Sequence, residues 1–254
     1  MNDRRRSVLL AGETWLTYGI HQKGFSAYTT GGYEVGSDEF VAALTAKGWV
    51  VDHIANHRAT EAFPSTVEGL EQYDVVILSD IGADTLLLHP DTFVKGERTP
   101  NRLTVIDEWV RSGGGLLMVG GYMSFAGFEG KGRYHGTPIE DCLPVDIKGF
   151  DDRAERPEGV NPRVDAEEHP VLDGLAGPWP YFLGYNRLKA KPQSEVLLSV
   201  EEDPFLVVGA RGRGRSAAFA SDCSPHWGSP EFMAWEGYGP FWDQLLSWLA
   251  GRLD

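Results

Sequence analysis

Three carboxylic acids follow short apolar runs of the sequence, at the points where strands would end. Glu13 follows residues 7–11, Asp80 follows residues 73–78, and Asp222 follows a later run. In a parallel sheet the carboxyl ends of the strands lie at one edge, so these side chains are expected to meet there. Grouped carboxylates can act as an acid and a base, bind sugar hydroxyls, or hold a cation. The alternative is that Asp80 and Asp222 cap neighbouring helices or loops.

Short apolar runs alternate with amphipathic segments in the first half of the chain. Strands are predicted at 7–11, 49–54, 73–78 and 116–119, and helices at 38–47 and 99–112. The run at 73–78 is almost continuously apolar, which is typical of a strand covered on both faces. Strands that alternate with helices in this order predict right-handed βαβ units. We therefore expect an α/β fold of three layers (α/β/α), with a flavodoxin-like, mostly parallel sheet between two layers of helices.

The second half of the sequence has a different pattern. Residues 125–180 are rich in glycine, proline and charge, which predicts long loops over the sheet. The runs 205–210 and 216–221 flank a glycine turn and predict a late β-hairpin. An amphipathic pattern predicts a terminal helix over 241–253. Since neither a repeat nor a linker divides the chain, we predict one domain of residues 1–254.

Acidic residues outnumber basic ones, 37 to 23, which gives the 254-residue chain a net charge of −14. Such a surface repels phosphate backbones and anionic membranes, so we expect neither nucleic acid nor a membrane as a partner. The apolar run that begins at Ser7 is interrupted by Glu13, which makes it shorter than the ~7–15 residues of an export signal. Because there are only two cysteines, Cys142 and Cys223, the sequence predicts a reduced, cytoplasmic protein.

The histidines do not form a metal-binding pattern. His53 and His57 are four residues apart, but a strand at 49–54 leaves them without a common helical face. The glycine-rich segments 31–33 and 130–133 lack the strand–turn–helix context of a dinucleotide or phosphate site. We therefore predict no metal and no cofactor.

Five stretches of the chain, taken in order, resemble a known superfamily. They are residues 8–13, 73–80, 114–121, 168–175 and 220–227. Together they resemble the class I glutamine amidotransferase-like superfamily and, more distantly, the ThuA-like trehalose-utilisation proteins. The resemblance implies the same three-layer fold. For active members it also implies a cysteine nucleophile on a tight turn, which works with a histidine and a glutamate to hydrolyse glutamine to ammonia.

The turn that matches the nucleophile elbow contains no cysteine. It spans residues 120–125, and Tyr122 or Met123 stands in the place of the thiol. Conventional glutaminase chemistry is therefore not carried over to this chain. Ser124 replaces the nucleophile only if the register shifts by two residues, and otherwise it is a helix N-cap. Tyr122 is a candidate hydrogen-bond donor to a ligand oxygen, and otherwise a core aromatic residue.

His226 matches the late-loop histidine of the family, which makes it a candidate general base or ligand-orienting group. The alternative is a loop histidine that bonds to the backbone and packs under Trp227. The family's H-x-E pair is not reproduced, since Gly228 stands two residues on. Cys223 precedes His226 by three residues and is a candidate nucleophile, although cysteine is more often a small buried hydrophobe.

Aromatic residues complete the candidate site, because the flat rings of Trp15, Tyr122 and Trp227 suit the C–H faces of a polyol. The candidate catalytic residues are His226, Glu13 and Asp80. The candidate ligand-binding residues are Trp15, Tyr122, Ser124, Asp222, Cys223 and Trp227.

Two functions compete on this reading of the sequence. The first is an amidotransferase-like protein that acts on or binds a small polar molecule, possible substrates including carbohydrates, in a cleft at the C-terminal ends of the strands. The alternative is a non-catalytic ligand-binding or oligomerisation domain, similar to the trimerisation domains of some β-galactosidases. In either case a homo-oligomer is expected, since most soluble assemblies are symmetric homo-oligomers. An intact glutaminase that uses Cys223 is a third hypothesis.

Overall fold

The computed structural model describes residues 6–175 and 177–253. The strands of these residues are β1 (Ser7–Gly12), β2 (Thr14–Lys23), β3 (Ser26–Val35), β4 (Val50–Ile54), β5 (Val75–Ser79), β6 (Gly115–Val119), β7 (Val145–Asp146), β8 (Arg153–Val160), β9 (Arg163–Val164), β10 (Phe182–Asn186), β11 (Lys189–Ala190), β12 (Glu195–Val200), β13 (Asp203–Arg211) and β14 (Gly214–Phe219). The helices are α1 (Asp38–Ala46), α2 (Asn56–Ala62), α3 (Val67–Leu70), α4 (Ala83–Leu87), α5 (Pro90–Lys95), α6 (Arg102–Arg111), α7 (Pro138–Cys142), α8 (Pro230–Met233) and α9 (Tyr238–Leu249).

Eight strands form the central sheet, in the order β4-β1-β5-β6-β14-β13-β12-β9. The first five are parallel, and their register places Ala11 opposite Leu78 and Leu78 opposite Met118. The last three are antiparallel, beginning with the β13–β14 hairpin around Gly212. The predicted α/β fold with a mostly parallel sheet and a late β-hairpin is thus confirmed.

The middle of the sheet is buried because its strands carry apolar side chains on both faces. Every residue of β5 and β6 is buried, as parallel strands between two helical layers require. One layer contains α1 and α9, joined by the ring contact of Phe40 with Trp242 at 4.9 Å. The other contains α6 with α3, α4 and α7. Asn101 begins α6 by accepting hydrogen bonds from two backbone amides of its first turn.

The prediction of long loops over residues 125–180 is wrong in part. This segment contains α7, β7, β8 and β9, and β8 pairs with β10 in a separate two-stranded sheet. The sequence of β8 is charged and only partly buried, so it lacks the apolar alternation by which strands are usually found.

The chain after β1 forms two strands that the sequence analysis did not predict. Only Glu13 separates β1 from β2, and β2 pairs with β3 over ten residues in a two-stranded sheet of its own. Nearly all of this hairpin is exposed, so core burial imposes no periodic pattern on its sequence.

No helix in residues 6–175 and 177–253 is both long enough and apolar enough to cross a membrane.

Candidate functional site

A cavity of ≈ 280 Å³ opens at the carboxyl ends of the parallel strands. This size suits a small ligand, since pockets for drug-sized molecules begin at about 300 Å³. Its lining brings together six of the nine residues that the sequence singled out. The lining consists of Glu13, Trp15, Asp80, Tyr122, Asp222, Ser224, Pro225 and His226.

Three of the lining residues have unusual backbone conformations. Glu13, Asp80 and His226 have φ angles of 52°, 46° and 149°, which side chains with a Cβ rarely adopt. Glu13 immediately follows β1, and Asp80 immediately follows β5. Such conformations cost free energy and tend to concentrate at functional sites. Their grouping around one cavity therefore favours a functional role for this edge of the sheet.

His226 is held by Asp222 through a hydrogen bond of 2.9 Å from Nδ1 to Oδ2. This bond raises the pKa of His226, while partial burial opposes the increase. Burial raises the pKa of Asp222, and the hydrogen bond to His226 opposes that change. With Nδ1 engaged by the carboxylate, Nε2 is the ring nitrogen left to exchange a proton. The imidazole is 46% exposed, whereas the Asp222 side chain is 5% exposed.

Glu13 is buried beside the other two acids. The hydroxyl of Ser79 donates to its Oε1, and the hydroxyl of Ser224 donates to its Oε2 at 3.0 Å. Burial, together with the charges of Asp222 and Asp80, raises the pKa of Glu13 to about 8. The carboxyl therefore carries a proton at neutral pH and can donate it.

Asp80 is bound by the turn that matches the nucleophile elbow. The amide of Met123 donates to Oδ1 of Asp80 at 2.7 Å, and the amide of Asp80 donates to the hydroxyl of Ser124 at 3.1 Å. Gly121 allows this approach, because a Cβ there would lie 2.9 Å from Oδ1 of Asp80. Burial raises the pKa of Asp80 to about 6, so this carboxyl is largely ionised at neutral pH.

Aromatic rings form the wall beside the acids. The ring of Tyr122 meets that of His226 edge-on at 4.6 Å, and its hydroxyl donates to Oε1 of Glu155 at 2.9 Å. The guanidinium of Arg153 lies 4.7 Å from the centre of the Tyr122 ring. Trp15 is 39% exposed at the root of the hairpin. These rings provide flat apolar surface next to polar groups.

Three predicted ligand-binding residues lie behind the cavity wall. Ser124 is buried, its hydroxyl accepts a hydrogen bond from the amide of Asp80, and no helix begins directly after it. The thiol of Cys223 is buried at 3.9 Å from Oε1 of Glu13, and burial raises its pKa well above the ordinary value. Trp227 is buried, with its indole N–H bonded to Glu155 at 3.0 Å. None of these three residues is among those that line the cavity, and the roles assigned to them stay predictions.

The sequence reasoning missed Ser224 and Pro225, which line the cavity, and Glu155 on β8. Ser224 and Pro225 lie inside the stretch 220–227 and could have been found from their place before His226. Glu155 accepts hydrogen bonds from both Tyr122 and Trp227, but nothing in its local sequence indicates that contact. In the described part of the chain, no group of three or more His, Cys, Asp or Glu side chains is arranged to hold a metal ion.

Comparison with solved structures finds relatives along nearly the whole length. Cytoplasmic protein STM3548 from Salmonella typhimurium is 42% identical, with 95% of this chain and 98% of that chain covered and a TM-score of 0.92. Cytoplasmic protein STM1381 from Salmonella typhimurium LT2 is 43% identical, with 96% and 99% covered and a TM-score of 0.92.

More distant matches concern the fold alone. A ThuA-like protein from Bacteroides uniformis is 15% identical, with 97% of this chain and 93% of that chain covered and a TM-score of 0.56. No curated protein matches the sequence significantly. The family model described as "putative glutamine amidotransferase" matches residues 7–251. The chain therefore belongs to this putative glutamine amidotransferase family, which confirms the resemblance.

Proposed function

We propose that the cavity binds a small polyhydroxy molecule of carbohydrate type and that the protein is an acid–base enzyme acting on it. The observation that carries the proposal is the hydrogen bond between Asp222 and His226, at a cavity that Glu13 and Asp80 also line. A buried carboxylate that orients a half-exposed imidazole is an arrangement suited to proton transfer.

The two other acids have opposite protonation states near neutral pH. Between about pH 6 and about pH 8, Asp80 is ionised and Glu13 keeps its proton. Environments that push two pKa values apart in one site separate an acid from a base. In our proposal Asp80 accepts a proton from the substrate, Glu13 donates one, and His226 binds the oxygen on which charge develops. No covalent intermediate is required, in keeping with an elbow that has no thiol.

The charges at the cavity select the ligand. Glu13, Asp80 and Asp222 are all acidic, and His226 is the one basic side chain among the lining residues. This balance disfavours anionic compounds such as sugar acids and phosphates, because carboxylates repel them. It favours neutral polyols and amino sugars, whose hydroxyl groups can donate to the carboxylates. The rings of Trp15 and Tyr122 can contact the C–H faces of such a ligand.

The chain is also proposed to act in the cytoplasm. This part of the proposal rests on the two Salmonella relatives, which are called cytoplasmic proteins.

A thermal-shift screen with neutral sugars, amino sugars, sugar acids and glutamine tests the binding step. We expect a neutral or amino sugar to raise the melting temperature, since a ligand at ~100 times its Kd contributes about 2.7 kcal/mol. The shift should disappear in His226→Ala. The matched control is His135→Ala, which removes an exposed histidine that also pairs with a carboxylate, 3.2 Å from Glu140.

Catalysis is then tested by following the bound sugar by proton NMR in heavy water. Conversion or deuterium uptake that is lost in Asp80→Asn and in Glu13→Gln supports the acid–base mechanism. Binding without any conversion would favour the alternative of a non-catalytic domain. Shifts of equal size in wild type and His226→Ala would place the ligand outside this cavity and overturn the proposal.

A further inference from the structure

The strands β2 and β3 form an arm, residues 14–35, that extends from the edge of the cavity. Its cross-strand pairs run from Thr14 opposite Val35 at the root to Lys23 opposite Ser26 at the tip. Gly24, with a φ of 61°, makes the tight turn, and the adjacent Phe25 is fully exposed. Each strand is ten residues long, so the arm extends about 34 Å.

One face of the arm is apolar. Side chains alternate between the two faces of a strand, and directly paired residues share a face. The residues of this face that carry large apolar side chains are Leu16, Tyr18, Ile20, Tyr33 and Val35, exposed to 52%, 74%, 80%, 49% and 40%. We call these five residues the apolar face.

The opposite face of the arm makes its own polar contacts. The hydroxyl of Thr17 donates to Glu34, and the ring of His21 bonds to Thr30 and stacks on Tyr28 at 4.6 Å. This face also carries Trp15 and Tyr28, but they alternate with polar residues. On the apolar face Tyr33 meets the ring of His57 edge-on at 5.4 Å, whereas the side chains of Tyr18 and Ile20 are turned to solvent.

An isolated two-stranded hairpin is only marginally stable in water. Of the twelve large apolar side chains exposed in the described ranges, eight lie in the arm or at its tip. Contiguous apolar patches of this kind mark interaction sites. Both features indicate that the arm is covered when the protein is assembled.

The charge distribution indicates what covers it. Residues 14–35 contain one lysine and one glutamate, whereas the whole chain has a net charge of −14. Two copies of so acidic a protein repel each other over most of their surfaces. The arm is a long segment with no net charge at which two copies can approach without that repulsion.

The area of the arm indicates how the copies are arranged. One face measures about 34 Å by about 10 Å, so laying it on another surface buries roughly 700 Å² in total. Stable interfaces bury about 1,200–2,000 Å². Two such contacts, related by a twofold axis, bury roughly 1,400 Å², since each copy gives one arm and receives one.

We propose that the protein forms a twofold dimer in which the apolar face of each arm packs on the other copy. Trp15, which lines the cavity, lies at the root of the arm but on the opposite face, so the proposed contact leaves its ring on the side of the cleft. This inference is independent of the proposed function, since it concerns assembly and not the ligand.

Sedimentation equilibrium of the full chain over a range of concentrations tests the proposal. We expect twice the monomer mass of 28.0 kDa for the wild type. Tyr18→Lys and Ile20→Lys should raise the dissociation constant at least about a hundredfold, because each would bury an unpaired charge in the interface. The matched control is Thr17→Lys, which adds the same charge to the same strand but on the opposite face, and should leave the mass unchanged.

Near-UV circular dichroism, which reports on the buried core tryptophans, verifies that each variant is folded. A wild type that stays monomeric at high concentration would overturn the proposal. So would an oligomer whose mass is unaffected by Tyr18→Lys and Ile20→Lys, because its interface would then lie elsewhere. Neither result would bear on sugar binding, which the thermal-shift screen measures separately.

Discussion

The backbone amide of Met123 donates a hydrogen bond of 2.7 Å to Oδ1 of Asp80. In this chain the turn after β6 thus fixes a carboxylate that comes from the neighbouring strand β5. An amide that binds a carboxylate favours its ionised form, which opposes the effect of burial on the pKa of Asp80. The contact joins the elbow to the group that we propose as the base.

Gly121 should be required for this contact. A Cβ at this position approaches Oδ1 of Asp80, and its φ is 146°. Gly113 has a similar φ of 125°, but nothing lies within 4 Å of a Cβ there. We expect Gly113→Ala to lower the free energy of unfolding by about 1–2 kcal/mol through backbone strain alone. Gly121→Ala should lower it by more, because the clash with Asp80 adds to the strain.

A double-mutant cycle with Asp80→Ala, measured by urea unfolding, separates strain from the clash. Gly121→Ala should be less costly when Asp80 is already alanine, which gives a coupling energy of at least about 0.5 kcal/mol. Gly113→Ala should show no coupling. Equal coupling at both glycines would contradict the contact.

Asp222→Asn should lower the pKa of His226. The hydrogen bond to the anionic carboxylate is the largest cause of the increase at His226, and asparagine keeps the shape without the charge. An NMR titration of the His226 ring measures the change. Glu140→Gln, which removes the carboxylate beside His135, is the control and should leave the His226 titration as it is in the wild type.

Glu13→Gln should change how stability depends on pH. The pKa of Glu13 is about 8 in the folded protein and 4.5 for the unperturbed group, so between these values the folded state binds more protons than the unfolded state. The contribution of Glu13 to the free energy of unfolding therefore falls as pH rises from 4.5 to about 8, by at most about 1.4 kcal/mol per pH unit.

Urea unfolding at several pH values tests this sign. The stability of Glu13→Gln relative to the wild type should increase across the window and level off above it. Glu61→Gln, at an exposed position on α2, should follow the wild type. A relative stability of Glu13→Gln that is constant with pH would show that Glu13 is ionised throughout.

Both cysteines should resist alkylation in the folded protein. Cys142 and Cys223 are buried, and burial raises the pKa of Cys142 to about 12 and that of Cys223 well above its ordinary value. Mass spectrometry after iodoacetamide at pH 8 should find no adduct until urea is added. Rapid modification of Cys223 in the native protein would revive the hypothesis of a thiol nucleophile.

The parallel part of the fold could be predicted well from the sequence. A strand that is buried on both faces consists almost entirely of apolar residues, and such runs are easily recognised. The strands at β5 and β6 and the helix α6 lie within a few residues of the predicted ranges. The carboxylates at the strand ends could be predicted for the same reason. The position at which a strand ends determines which residue follows it at the carboxyl edge of the sheet. Glu13 and Asp80 follow β1 and β5 in this way, and both line the cavity.

What the sequence could not predict depends on contacts between distant segments. Ser124 was assigned by its position in the elbow, but its orientation is decided by the amide of Asp80, which lies 44 residues away. Glu155 supports the site from β8, whose partner strand follows much later in the chain. That the whole chain is one domain stays a prediction.

The single residue between β1 and β2 has a consequence for how this protein can diverge. Because successive side chains of a strand point to opposite faces, inserting one residue near Glu13 would exchange the two faces of the arm. Removing or adding whole cross-strand pairs next to Gly24 leaves each remaining residue of the arm on the same face, and it leaves the cleft as it is. Homologues should therefore differ in arm length at the tip, in steps of two residues, while the root keeps a constant length.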